Sequence, residues 1–107
     1  MRTDLMQGTL DLLVLKVLST GPNHGWGIAQ LIEERSGQIF LVNQGSLYPS
    51  LHRLEREKVI KAEWGVSENN RRARIYAITP AGRKRLEEET AGWERVTVGI
   101  GRVLRSV

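Results

Sequence analysis

The apolar residues of this 107-residue chain change their spacing twice, and no single kind of element satisfies all of it. Up to about Glu57 they recur every three or four positions, as on one face of a helix. From Ile60 to Ile78 they alternate with polar residues, as on one face of a strand, and beyond Pro80 the helical spacing returns. The chain must therefore be a run of helices, a β-hairpin and a further helix, a mainly α fold with a small β component (α+β).

Thr9 to Thr20 reads as a first helix, with Leu10, Leu12, Leu13, Val14, Leu15, Val17 and Leu18 apolar and only Asp11 and Lys16 charged. A helix apolar nearly all round must be covered on most sides. A chain this short builds one core only, so part of the cover is expected from a second subunit. Gly21 and Pro22 end the helix, because Gly suits the position after the C-cap and Pro cannot continue it. A second helix is expected from about His24 to Ser36, with Trp26, Ile28, Ala29, Leu31 and Ile32 on its apolar face and His24 as a turn or cap residue. Gly25 and Gly27 each cost it about 1 kcal/mol against Ala, which points to close approach of a neighbouring helix. Ile39 to Val42 follows as a short strand.

The third helix lies in Asn43 to Glu57. Gly45 and Ser46 offer a cap, and Pro49 then falls in the first turn, where its missing N–H has no intrahelical partner to lose. Leu47, Leu51 and Leu54 form an apolar stripe, while Ser46, Pro49, His52, Arg53 and Arg56 point the other way, with Tyr48 on the border. No acid precedes Glu55, so the positive end of the helix dipole adds to hydroxyl, imidazole and guanidinium groups, a surface suited to phosphates and base edges. Helix, short turn, helix and capped basic helix is a helix-turn-helix order. In the period-two segment, Ile60, Ala62, Trp64 and Val66 alternate with Lys61, Glu63 and Gly65. Ser67 to Asn70 carries the turn chemistry, and a second strand from Arg71 or Arg72 to Ile78 places Ala73, Ile75 and Ala77 on one face and Arg72, Arg74 and Tyr76 on the other. A lone hairpin is marginal, so it must pack on the helices and leave Asn69, Asn70, Arg71 and Arg72 projecting as a wing.

Charge placement agrees with such a surface. The chain carries a net +4, and between Arg53 and Arg85 ten Lys or Arg face only four Glu. A focused basic patch is the expected footprint of nucleic-acid binding, its bland alternative being a solvated surface. There is no cysteine, and two isolated histidines lack paired carboxylates, so neither a metal nor another cofactor is expected. No nucleophile lies beside a base and no glycine-rich loop joins strand to helix, which argues against an enzyme. The most apolar run, Leu10 to Leu18, is too short to span a bilayer and no signal peptide precedes it; a soluble cytoplasmic protein with no membrane contact is expected.

Thr79 and Pro80 open a last helix, a cap followed by Pro at the first helical position. Along it Leu86, Thr90, Trp93, Thr97, Ile100, Leu104 and Val107 alternate spacings of four and three, the seam of a coiled coil. The chain is thus expected to divide into a winged-helix domain, residues 1–79, and a dimerisation helix, residues 80–107, pairing two copies through that seam. Gly92, Gly99 and Gly101 oppose helix there, and fraying is expected beyond Val98 unless the seam holds it. Trp93 is too large to interdigitate tidily between Thr90 and Thr97. Two such indoles either pack on each other or leave a gap at the dimer axis that takes a flat aromatic molecule.

Gly45-Ser46-Leu47-Tyr48-Pro49, Leu51-His52-Arg53-Leu54-Glu55, Trp64-Gly65, Arg71 to Tyr76 and Thr79-Pro80-Ala81-Gly82, with Gln7 to Asp11 and His24 to Ile28, together resemble the PadR family of bacterial transcriptional regulators. The resemblance covers nearly the whole chain, and its single helix after the wing is similar to the short subfamily; Trp26 stands where the family usually has Tyr. It implies a homodimeric winged-helix repressor binding double-stranded DNA, in some members released by a small aromatic effector between subunits; two identical basic helices paired through the seam are expected to read an inverted repeat. On this reading Gln44, Ser46, Tyr48, Arg53 and Arg56 of the third helix and Asn69, Asn70, Arg71, Arg72 and Arg74 of the wing meet DNA, Trp93 meets the effector, and no residue is catalytic. The alternative is a winged helix used for protein contact, its basic patch meeting an acidic partner.

Overall fold

The computed structural model describes residues 3–4 and 7–107. The segment before the first helix, where no signal peptide was expected, falls partly at positions 1–2 and 5–6, outside those described. The elements run β1 (Thr3–Asp4), α1 (Gln7–Ser19), β2 (Asn23–His24), α2 (Gly25–Arg35), β3 (Phe40–Leu41), α3 (Gln44–Arg56), β4 (Ile60–Val66), β5 (Arg72–Ile78) and α4 (Pro80–Leu104). The mainly α architecture with a small sheet is the one its spacing predicts.

α1 is the central post. Leu10, Val14, Leu15, Val17 and Leu18 are buried, and α2, α3, α4 and β5 all pack against it, which is why so few of its positions are polar. Against α1 lie Ile28, Ala29 and Ile32 of α2 and Leu47, Leu51 and Leu54 of α3. Of the two glycines at the start of α2, Gly25 meets a neighbouring helix as its cost in helix propensity suggests, whereas the neighbour of Gly27 is a residue of β2. A Cβ on Gly25 would sit 3.1 Å from the Tyr48 hydroxyl of α3, and one on Gly27 would overlap the side chain of Asn23. His24 caps α2 by accepting the Gly27 N–H on Nδ1 at 3.0 Å.

α3 begins earlier than its local signals imply. Asn43, not Gly45 or Ser46, is the cap: its backbone is extended (φ −96°, ψ 156°) two residues after the end of β3, and its side chain accepts the Ser46 N–H at 2.9 Å. Pro49 consequently lies inside the helix, beyond the first turn, where it withholds one N–H from the ladder.

β4 and β5 pair antiparallel from Ile60↔Ile78 to Val66↔Arg72, and the turn closes with Asn70 at φ 58°, a conformation Asn tolerates. Two features go beyond the sequence expectation. The hairpin has a third strand, because Asn23 and His24 pair with Tyr76 and Ile75 to give the order β2-β5-β4. Its inward face is the one carrying Arg72, Arg74 and Tyr76. Near the base Ile60 and Tyr76 are buried on that face, while Ala73, Ile75 and Ala77 on the other are only partly covered. The arginines share the core face because the hairpin outruns the core, so the same face that packs at its base is open at its tip.

Thr79 caps α4 through Gly82 N–H at 3.1 Å, with Pro80 first in the helix. Three contacts fasten this root to the segment just after α3: Thr79 N–H to Val59 O at 3.1 Å, Thr79 Oγ1 to Lys58 O at 2.8 Å, and Arg85 to Glu57 at 2.5 Å. A methyl group on Gly82 would overlap the Val59 carbonyl oxygen. α4 continues unbroken to Leu104 through Gly99 and Gly101, with no fraying at Val98.

Candidate nucleic-acid interface

α3 and the hairpin border one cleft of about 480 Å³. Tyr48 and His52 line it from α3, Trp64, Arg72 and Arg74 from the hairpin, and His24 and Trp26 close one end. Tyr76 forms part of the floor, where burial pushes its phenol pKa up, with the neighbouring Arg74 charge opposing the shift. The phenol therefore stays protonated and neutral.

The sequence-derived residues fall into two groups. Gln44, Ser46, Tyr48 and Arg56 are exposed along α3, and Asn69, Asn70, Arg71 and Arg72 are exposed at the hairpin tip. Arg53 and Arg74 are occupied by carboxylates. Arg53 donates to Asp11 of α1 through Nη2 at 2.6 Å and Nε at 3.2 Å. The same carboxylate accepts the hydroxyl of Ser50, at 2.5 Å, from a residue only 1% exposed. Arg74 donates to Glu55 of α3 at 2.9 Å, tying the wing to the helix beside it.

Trp64 is a site residue that sequence reasoning left in the strand pattern. It is 58% exposed. The Arg72 guanidinium carbon lies 4.3 Å from its ring centre and that of Arg74 lies 5.7 Å away. The signal was available in the alternation itself: Trp64 shares a face with both arginines once the strands pair.

On α4, Leu86 packs partly against the core of its own chain, whereas Thr90, Trp93, Thr97, Ile100 and Leu104 are exposed. Val96 and Val103 lie exposed beside them, one turn apart from Trp93 and Ile100, and widen the apolar stripe beyond the predicted seam. Between α1 and this helix runs an apolar groove of about 510 Å³ lined by Leu12, Leu13, Leu86 and Ala91. Glu89, nearby, is held above the usual carboxylate range by burial; Arg85 opposes the shift and Asp11 and Glu57 add to it.

Three helices with a recognition helix beside a β-hairpin wing, followed by one long helix, define a winged helix-turn-helix protein. The sequence profile of the transcriptional regulator PadR-like family matches residues 14–88. The chain belongs to that family. It is 33% identical over 93 residues to a transcriptional regulator of Mycobacterium tuberculosis, covering 87% of this chain and 83% of that one. Among solved structures it is similar to a transcriptional regulator from Clostridium thermocellum (28% identity, TM-score 0.81, covering 90% of this chain and 93% of the other). It is also similar to a PadR-like transcriptional regulator from Bacillus cereus (26% identity, TM-score 0.80, covering 94% and 96%). The protein is thus a transcriptional regulator rather than an enzyme, and regulation through DNA binding is what its family implies. Among the described residues no helix is long and apolar enough to cross a membrane.

Proposed function

We propose that the chain acts as a homodimeric repressor that binds an inverted-repeat operator, placing two copies of α3 in successive major grooves and the hairpin tips on the flanking backbone or minor groove. The observation that carries this reading is the shared cleft: the exposed face of α3 and the basic hairpin tip open on the same side of the molecule. Gln44, Ser46 and Tyr48 meet base edges at the N-terminal end of α3, Arg56 meets phosphate or guanine, and Asn69, Asn70, Arg71 and Arg72 meet the backbone. Arg53 and Arg74, engaged by Asp11 and Glu55, hold α3 and the wing in place for those contacts.

Residues 80–107 supply the dimer contact on this reading. Trp93, Val96, Ile100 and Leu104 are exposed on a helix with little cover from its own chain, and burying them against a second copy removes that apolar surface from water. The two Trp93 rings then flank the dimer axis, where a flat aromatic effector entering between them would change the spacing of the two α3 helices and release the operator. Two α3 helices on one face of B-DNA put half-site centres roughly 34 to 36 Å apart.

Titration against operator and random duplexes at several salt concentrations tests the reading. Log K should fall by about 0.9 per phosphate contact against log salt. Tyr48→Ala should weaken operator binding more than random-duplex binding, and Arg71→Ala should lower the slope on both. A protein that binds no duplex at low salt yet captures an acidic protein would refute the DNA reading and assign the same surface to protein contact.

A further inference from the structure

We propose that Trp64 is a positioning residue for DNA binding, its indole holding the Arg72 guanidinium at the mouth of the cleft so that the wing meets the duplex with its cation already placed. This rests on the DNA-binding reading above and assigns a task to a residue that makes no contribution to the core. Trp64 is 58% exposed, an expensive side chain to leave in water on a strand whose neighbours are small or polar. What it touches is charge. Arg72 lies over its ring at 4.3 Å and Arg74 at 5.7 Å, both within the reach of a cation–π contact. Strand register explains the pair: Trp64 is directly opposite Arg74, and Arg72, opposite Val66, is its diagonal neighbour on the same face.

The two arginines are not equivalent. Arg74 is anchored on the far side by Glu55 of α3 at 2.9 Å, so the series Glu55, Arg74, Trp64, Arg72 runs from the recognition helix out to the wing. Arg72 is at its free end and is exposed. A guanidinium stacked on a ring keeps its charge and its in-plane N–H donors, which are the groups a phosphate oxygen accepts from. An arginine left to sample its rotamers must be immobilised on binding, at a cost in entropy; one already held over an indole has met most of that cost in the free protein.

The test is a double-mutant cycle on the full chain, read by equilibrium binding to a random-sequence duplex long enough for both half-sites, at several salt concentrations. Such a duplex suffices because a phosphate contact carries no sequence information. Trp64→Leu keeps an apolar side chain but has no π face. It should weaken binding about two- to fivefold per wing, the range that corresponds to an exposed cation–π contact, with the salt slope unchanged because Arg72 still meets its phosphate once bound. Trp64→Phe should restore most of the affinity. The double variant Trp64→Leu/Arg72→Ala should bind no more weakly than Arg72→Ala alone. A merely structural tryptophan would move the melting temperature and weaken binding as much in the Arg72→Ala background as in the wild type, so no loss from Trp64→Leu, or losses from the two substitutions that add in full, overturns the proposal. Absence of duplex binding by the wild type is a separate outcome, since it overturns the DNA reading itself.

Discussion

Replacing Asp11 by Ala removes a carboxylate that joins α1 to α3, and the cost can be built from its contacts. The hydroxyl of Ser50, in a residue only 1% exposed, loses its acceptor, which by the usual penalty for a buried unsatisfied group costs about 1 to 3 kcal/mol. Two donor groups of Arg53 lose theirs as well. Breaking a fully buried ion pair costs about 3 to 5 kcal/mol and an exposed one about 0 to 1. The side chains here are 22% and 17% exposed, so the pair lies between those limits. Since the two losses share one carboxylate and do not add in full, about 3 kcal/mol is expected in total. With a urea dependence of about 1.5 kcal/mol/M, the unfolding midpoint should fall by about 2 M, measured at fixed protein concentration because pairing of chains would add to apparent stability. Asp11→Asn keeps an acceptor for Ser50 and should recover part of the loss. Arg53→Ala should also cost stability while leaving the salt slope of duplex binding unchanged. Midpoint shifts below about 0.3 M for both Asp11→Ala and Arg53→Ala would refute the assignment of this cluster as the brace of α3.

Gly82→Ala should destabilise the fold by about 3 kcal/mol, because the new methyl group meets the Val59 carbonyl oxygen rather than a yielding side chain; a melting temperature within 2 °C of wild type would contradict the close approach. Trp93→Asp or Ile100→Asp should give a monomer by sedimentation with operator affinity much reduced through lost bivalency, and an unchanged mass would remove α4 from the dimer contact. Glu89→Gln should stabilise the protein slightly at neutral pH. The carboxyl pKa is raised in the fold, mainly by burial, so the ionised form is penalised above the folded value and the penalty vanishes as pH falls below the unfolded value. Melts of the two proteins should therefore differ at pH 7 and coincide near pH 3; a difference that persists in acid would place its origin elsewhere.

Where a contact is local, the sequence showed it. Thr79 and Pro80 start α4, Asn70 turns the hairpin, His24 caps α2, and the change to period two at Ile60 marks β4, all decided by interactions within a few residues. Where the deciding partner is remote, residue type alone was insufficient. Asp11 and Arg53 are 42 positions apart, so nothing near Arg53 in the chain announces the carboxylate that engages it. Arg74 and Glu55 are separated in the same way. The cap of α3 was ambiguous because Asn43, Gly45 and Ser46 all suit that place, and the choice falls to Asn43 since β3 ends two residues before it. The inward face of β5 depends on where the core ends along the hairpin, which alternation cannot say. β2 was legible only as a turn because two residues carry no period.

The attachment of α4 gives it the properties of a lever. Thr79, Gly82 and Arg85 grip Glu57, Lys58 and Val59, the residues that leave α3, so the angle between the two helices is set at a stiff joint rather than a flexible linker. The 25 residues of α4 make an arm of about 37 Å. Tilting such an arm by about 5° moves its far end by about 3 Å, on the scale of half a helical turn. Conversely, whatever fixes Trp93 to Leu104 fixes the attitude of α3 with a mechanical advantage, and small changes in how those residues pack translate into small, well-defined rotations of α3.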